Sequence, residues 1–125
     1  MGEELRTYFF DTYALIEIIK GSPNYAKYKK TRIITTKMNL LELHHILLKS
    51  HGTKIANKYY DYFKEYCVEI EDELIKKASL MKLELKNKKM SYIDCLGYCA
   101  AITKNASFLT GDKEFEGMQG VEYTK

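Results

Sequence analysis

The 125-residue sequence predicts an α/β fold, a mainly parallel sheet with helices on both faces. Two observations carry this expectation. Short β-prone apolar runs alternate with longer segments whose apolar residues recur at helical spacing. The composition, 46% hydrophobic and 30% charged with a single Pro, is that of an ordinary folded chain able to bury one core without staples. Residues 1–125 are therefore expected to form one domain.

The elements follow in order. "TYFF" (7–10) is aromatic and reads as a buried strand. In "DTYALIEIIKG" the residues Ala14, Leu15, Ile18 and Ile19 fall at helical spacing, with Gly21 as a stop and Pro23 beyond it. "RIITT" (32–36) is a β-branched strand. "KMNLLELHHILLKSHG" is a helix with Leu40, Leu43 and Leu47 on one face, Leu41 and Leu48 on its flank, and Gly52 as C-cap. "TKIANKYYDYFKEY" is a second helix with Ile55, Tyr59, Tyr62 and Phe63 turned inward. "CVEI" (67–70) is a short strand, and 71–85 a helix whose opening acids suit its N-terminal dipole. "SYIDCLGYCAAITKN" is a helix, "SFLT" a strand and "EYT" an edge strand.

The three cysteines, Cys67, Cys95 and Cys99, are an odd count in a Lys-rich chain, which points to a reducing cytoplasmic setting. Cys95 and Cys99 sit four apart with no second Cys/His pair to complete a metal set, so they read as small buried thiols. No apolar run approaches a membrane span. The net charge of +3 is compatible with a polyanionic partner without requiring one. Basic residues gather at Lys27, Lys29, Lys30 and Arg32, interleaved with Tyr25 and Tyr28, and again at Lys82, Lys86, Lys88 and Lys89. They read either as a solvated surface or as phosphate contacts to nucleic acid. His44, His45 and His51 lack the further ligands of a metal site and read as surface or core residues.

In open α/β sheets ligands bind beyond the carboxyl ends of the strands. Asp11 directly follows "TYFF", and Asp112 follows "SFLT" by two residues. Glu42 lies inside the apolar run "NLLELHHILL", and Asp94 lies in the first turn of an apolar helix. Each has a simpler explanation. Asp11 and Asp112 can be N-caps, Ser91 and Asp94 can form a capping box, and Glu42 can reach His45 or His51 or extend to water. Together, however, all four can be placed at one sheet edge. Two carboxylates about 4 Å apart repel by roughly 4 kcal/mol at an effective dielectric near 20, so four ionised acids require a cation. Hard oxygen donors without a Cys/His set suit Mg²⁺ or Mn²⁺.

Four segments in order, "YFFDTYALIEII", "NLLELHHILLK", "MSYIDCLGYCAA" and "FLTGDKEFEGMQGVEYTK", resemble the PIN-domain family, of the small prokaryotic VapC-like kind. The likeness covers essentially the whole chain. It implies a three-layer α/β/α sandwich with a sheet of four to five strands and a metal-dependent ribonuclease. Asp11, Glu42, Asp94 and Asp112 match the family's acidic quartet, which would hold one or two Mg²⁺ or Mn²⁺ and hydrolyse an RNA phosphodiester. Thr12 and Thr110 match positions that support the site by hydrogen bonds. Glu114 and Glu116 stand close by, in what reads as a solvated turn. Many VapC-like proteins are toxins held by a VapB-type antitoxin and form dimers, so the resemblance implies an RNA substrate, an antitoxin partner and a homodimer. Tyr59, Tyr60 and Tyr62 are candidates for a dimer face or an antitoxin groove. The alternative is a non-catalytic PIN-like RNA- or protein-binding module, against which all four acids are present. A phosphoacceptor receiver fits less well, because Asp11 is followed by Thr12 and "CVEI" ends in no Asp.

Overall fold

The computed structural model describes residues 5–125. The chain runs β1 (Thr7–Phe10), α1 (Thr12–Lys20), a 3₁₀ helix (Pro23–Lys30), β2 (Arg32–Ile34), α2 (Lys37–His51), α3 (Thr53–Phe63), a 3₁₀ turn (Lys64–Tyr66), α4 (Asp72–Glu84), α5 (Tyr92–Thr103), β3 (Ser107–Thr110), a 3₁₀ turn (Lys113–Phe115) and β4 (Val121–Tyr123). All strand pairs are parallel, in the order β2-β1-β3-β4. β1 and β3 are thus neighbours at the centre, with Phe10 opposite Leu109.

Alternation along the strands divides the interior into two cores. Tyr8, Phe10 and Leu109 pack with Leu15, Tyr25, Leu40, Leu43 and Phe63 on the face covered by α1, α2 and α3. Phe9 and Phe108 pack with Leu74, Met81, Leu96 and Phe115 on the face covered by α4 and α5. The Phe9 and Phe108 rings stack across β1 and β3 at 5.6 Å, and Phe115 closes on Phe108 at 4.6 Å. The result is the three-layer α/β/α sandwich with a parallel sheet.

Several local expectations are revised. The strand expected at 67–70 is a single parallel bridge between Cys67 and Thr35. Its backbone makes only two bonds there, Val68 N–H to the Thr35 carbonyl and Thr35 N–H to the Tyr66 carbonyl, before the chain turns into α4. β2 ends at Ile34 rather than Thr36, because Thr36 becomes the N-cap of α2 and accepts a hydrogen bond from Asn39 N–H. On α3 the buried residues are Ala56 and Phe63, while Tyr62 is 58% exposed and packs edge-on against the Phe63 ring.

The segment around Pro23 folds as a 3₁₀ helix that buries Tyr25 and Tyr28 and exposes Lys27, Lys29 and Lys30. The Tyr25 hydroxyl donates to the Thr124 carbonyl and the Tyr28 hydroxyl to Glu122 at 2.8 Å, so these tyrosines anchor the C-terminal strand and are closed to a nucleic acid. Cys95 is buried, and Cys67, Cys95 and Cys99 are all free thiols. Among the described residues no helix is long and apolar enough to cross a membrane.

Candidate active site at the carboxyl edge of the sheet

The connections leave β1 and β3 in opposite directions, so a crevice opens beyond the carboxyl ends of these adjacent strands. Asp11 enters it from β1. Its extended backbone makes it the N-cap of α1, and its Oδ1 accepts from Ala14 N–H at 2.8 Å. The side chain is only 5% exposed. Burial raises its pKa from 3.8 to about 7; hydrogen bonds from Thr110 and Ala14 pull the other way, and the charges of Asp94 and Asp112 add to the rise.

Asp112 enters from β3. Thr110, fully buried, ties it to Asp11, because the Thr110 hydroxyl bonds to the Asp11 carboxylate and also accepts from Asp112 N–H at 3.0 Å. Asp112 in turn caps the 3₁₀ turn after it, accepting from Glu114 N–H at 3.0 Å. Glu114 faces away from this crevice chemistry. Its Oε1 accepts from Lys89 N–H at 2.8 Å and its carbonyl from the Lys88 ammonium at 2.9 Å, while Glu116 is exposed.

Asp94 arrives from α5. The expected capping box is present, with Ser91 Oγ accepting from Asp94 N–H at 3.0 Å and Asp94 Oδ2 accepting from Ser91 N–H at 2.8 Å. Burial raises its pKa, opposed by the Ser91 backbone bond, and the charges of Asp112 and Glu42 raise it further. Capping and membership of the acidic group are therefore compatible roles for one side chain.

Glu42 comes from the first turns of α2. It reaches neither His45 nor His51; its Oε1 accepts a short hydrogen bond from the Thr12 hydroxyl. The Thr12 hydroxyl also accepts from Asn39 Nδ2 at 3.3 Å, and Asn39 Oδ1 accepts from the Thr36 hydroxyl at 2.6 Å. Asn39 is a residue that sequence reasoning missed. Its signal was available: it stands one helical turn before Glu42, on the same face, in a position where a polar side chain would otherwise be buried unpaired.

The four acids thus converge, but they are not packed into a closed cluster. Among the described residues no group of three or more His, Cys, Asp or Glu side chains stands close enough to hold a metal ion as placed. The donor chemistry nonetheless fits a hard divalent cation. All donors are carboxylate oxygens, and the largest influences on Asp11 and Asp94 include no cationic side chain. None of the three ion pairs among the described residues involves these acids. The histidines lie elsewhere: His44 bonds Asn57 at 2.7 Å and His51 bonds Ser50 at 2.8 Å.

No curated protein matches the chain. Solved structures do resemble it. A crystal structure of Mycobacterium tuberculosis VapC20, a sarcin-ricin loop cleaving toxin, matches with a TM-score of 0.76 at 15% identity, over 94% of this chain and 99% of that one. VapBC2 from Rickettsia felis, bound to a DNA fragment from its promoter, matches at 0.73 and 20% identity over 95% and 99%. DNA-bound VapBC from Salmonella typhimurium matches at 0.73 and 16% over 95% and 97%. At such identities these likenesses speak for the fold. The family model for the PIN domain spans residues 8–121, from β1 to the start of β4 and across all four acids, so the chain belongs to the PIN domain family.

Proposed function

We propose that the protein is a metal-dependent ribonuclease, with Asp11, Glu42, Asp94 and Asp112 as its Mg²⁺- or Mn²⁺-binding and catalytic acids. The observation that carries this reading is Asp11, a buried carboxylate whose pKa is raised to about 7 and to whose rise two like-charged neighbours contribute. A fold gains no stability from such an arrangement, and a bound cation supplies the compensating charge. When bound, the metal would offset the phosphate's charge and make water a better nucleophile.

The chain's own residues do the rest. Asp11 and Asp94 are held at the N-terminal ends of α1 and α5, whose backbone N–H groups orient their carboxylates. Thr12, steadied by Asn39, fixes Glu42. Thr110 holds Asp11 and Asp112 in register across two strands. Such outer contacts set ligand orientation before substrate arrives.

Within this reading the VapBC neighbours support a toxin restrained by a VapB-like antitoxin; RNA as substrate and a homodimer as the working form are part of the proposal. The test is cleavage of a structured RNA mixture by the wild type with Mg²⁺ or Mn²⁺, in EDTA, and by Asp11→Asn. Cleavage is expected only from the wild type with metal. Cleavage that persists in EDTA or in Asp11→Asn would reject the assignment.

A further inference from the structure

We propose that Tyr92, flanked by Lys76 and Lys86, is a base-stacking site for single-stranded RNA; this rests on the ribonuclease reading. Tyr92 opens α5, two residues before Asp94, and is 74% exposed. On one side the ring borders an apolar groove lined by Met38, Ile70, Ile75, Ile93 and Leu96. On the other it lines an open surface groove of about 640 Å³ along α4 and the start of α5, together with Leu80 and Leu83, which are 55% and 67% exposed. A group the size of a nucleotide falls within the range such concavities take.

Charge selects the occupant. The groove's charged lining residues are Lys76, Lys82 and Lys86, with no acid among them. The Lys82 ammonium lies 5.3 Å from the centre of the Tyr92 ring and donates to the Met90 carbonyl at 2.7 Å. It thereby pins the strand of chain that leads into Ser91 and positions the ring. Lys76 pairs with Glu73 at 3.7 Å, but both are exposed, and such pairs give way readily to a phosphate. An aromatic face rimmed by ammonium groups is the pattern that binds unpaired bases and their backbone, whereas an acidic protein segment would leave the open ring without a stacking partner. Its place at the same helix end as Asp94 would hold a nucleotide beside the one presented to the acids.

The test uses the intact protein and a short mixed-sequence oligoribonucleotide carrying 2-aminopurine, in EDTA so that no cleavage intervenes. Wild type should quench the base on binding. Tyr92→Ala should bind roughly tenfold more weakly or worse, the range expected for one lost stacking contact, and should lose the quench. Tyr92→Phe should keep both. Lys76→Gln with Lys86→Gln should weaken binding and flatten its salt dependence. In the cleavage assay Tyr92→Ala should raise KM more than it lowers kcat. Equal binding by wild type and Tyr92→Ala, while the wild type still cleaves, overturns this inference and leaves the ribonuclease reading standing. Loss of a homodimer or of antitoxin capture in Tyr92→Ala, with RNA binding intact, assigns the face to protein and also overturns it. If wild type neither binds nor cleaves RNA, both readings fall together.

Discussion

Thr12 and Thr110 show how little polar chemistry is needed to hold four like charges near one another. Each hydroxyl donates to one group and accepts from another: Thr12 gives to Glu42 and takes from Asn39, and Thr110 bonds Asp11 and takes from Asp112 N–H. Because both threonines are buried, losing either side of such a relay leaves a donor without water to replace it. Thr12→Val keeps the shape and removes the hydroxyl. It should orphan the amide of Asn39, lowering stability by about 1–3 kcal/mol, and should let Glu42 swing free, lowering cleavage by roughly 10- to 100-fold. Thr12→Ser should recover most of both. Thermal unfolding and initial cleavage rates on the three proteins check this, and equal activity in Thr12→Val would show that Glu42 needs no positioning.

At the level of elements, α5 carries two separable demands. Its N-terminus must present Asp94 while capping itself, and its middle must lie close to the sheet. Ser91→Ala removes one half of the reciprocal cap, the bond from Asp94 N–H to the Ser91 hydroxyl, and should cost about 1 kcal/mol; the Ser91 N–H bond to Asp94 Oδ2 survives, so cleavage should fall little. Gly97 serves the second demand. A Cβ there would stand 2.9 Å from Cε1 of Phe9 and 3.3 Å from Cε1 of Phe108, two fully buried stacked rings. Gly97→Ala should therefore destabilise by about 1–3 kcal/mol through overpacking, despite a gain in helix propensity of roughly 1 kcal/mol. Urea unfolding gives both values, and a more stable Gly97→Ala protein would mean that α5 can lift from the sheet at no cost. These elements also mark what the sequence could disclose. The central strands and long helices were legible because "TYFF" and "SFLT" are apolar throughout and Leu40, Leu43 and Leu47 repeat at helical spacing. The segment "CVEI" has the same local character, yet it pairs at one residue only, because its partner edge beyond β2 is already turning into α2. The inward face of α3 was misjudged at Tyr62, since an aromatic run reads alike whichever face it presents. Asp11, Glu42, Asp94 and Asp112 could be picked out because acids are rare beside apolar runs. Asn39 was overlooked although it stands one turn before Glu42, because its partner Thr12 lies 27 positions away.

For the molecule as a whole, gathering acids at one edge of the sheet makes stability depend on pH and on cations. The Asp11 carboxyl releases its proton near 3.8 in the unfolded chain but only near 7 in the fold. Between these values the native state holds the extra proton, so stability falls as pH rises from about 4 to about 7 and is level above. A shift of about three units corresponds to a decline on the order of 4 kcal/mol, and Asp94, whose pKa is also raised, adds in the same direction. Asparagine caps helices as well as aspartate does, so Asp11→Asn keeps the Ala14 bond and removes the charge. Subtracting its unfolding free energy from that of the wild type, in EDTA from pH 4.5 to 8, isolates the contribution of Asp11: the wild type should lose ground steadily to the variant as pH rises. Mn²⁺ binding only the native state at a hundred times its Kd adds about 2.7 kcal/mol. It should therefore raise the wild-type Tm at pH 8, do so much less at pH 5 where Asp11 is protonated, and leave Asp11→Asn nearly unmoved. If the two proteins run parallel across the pH range and Mn²⁺ shifts neither, Asp11 is a helix cap alone and the acidic edge has no cation to answer to.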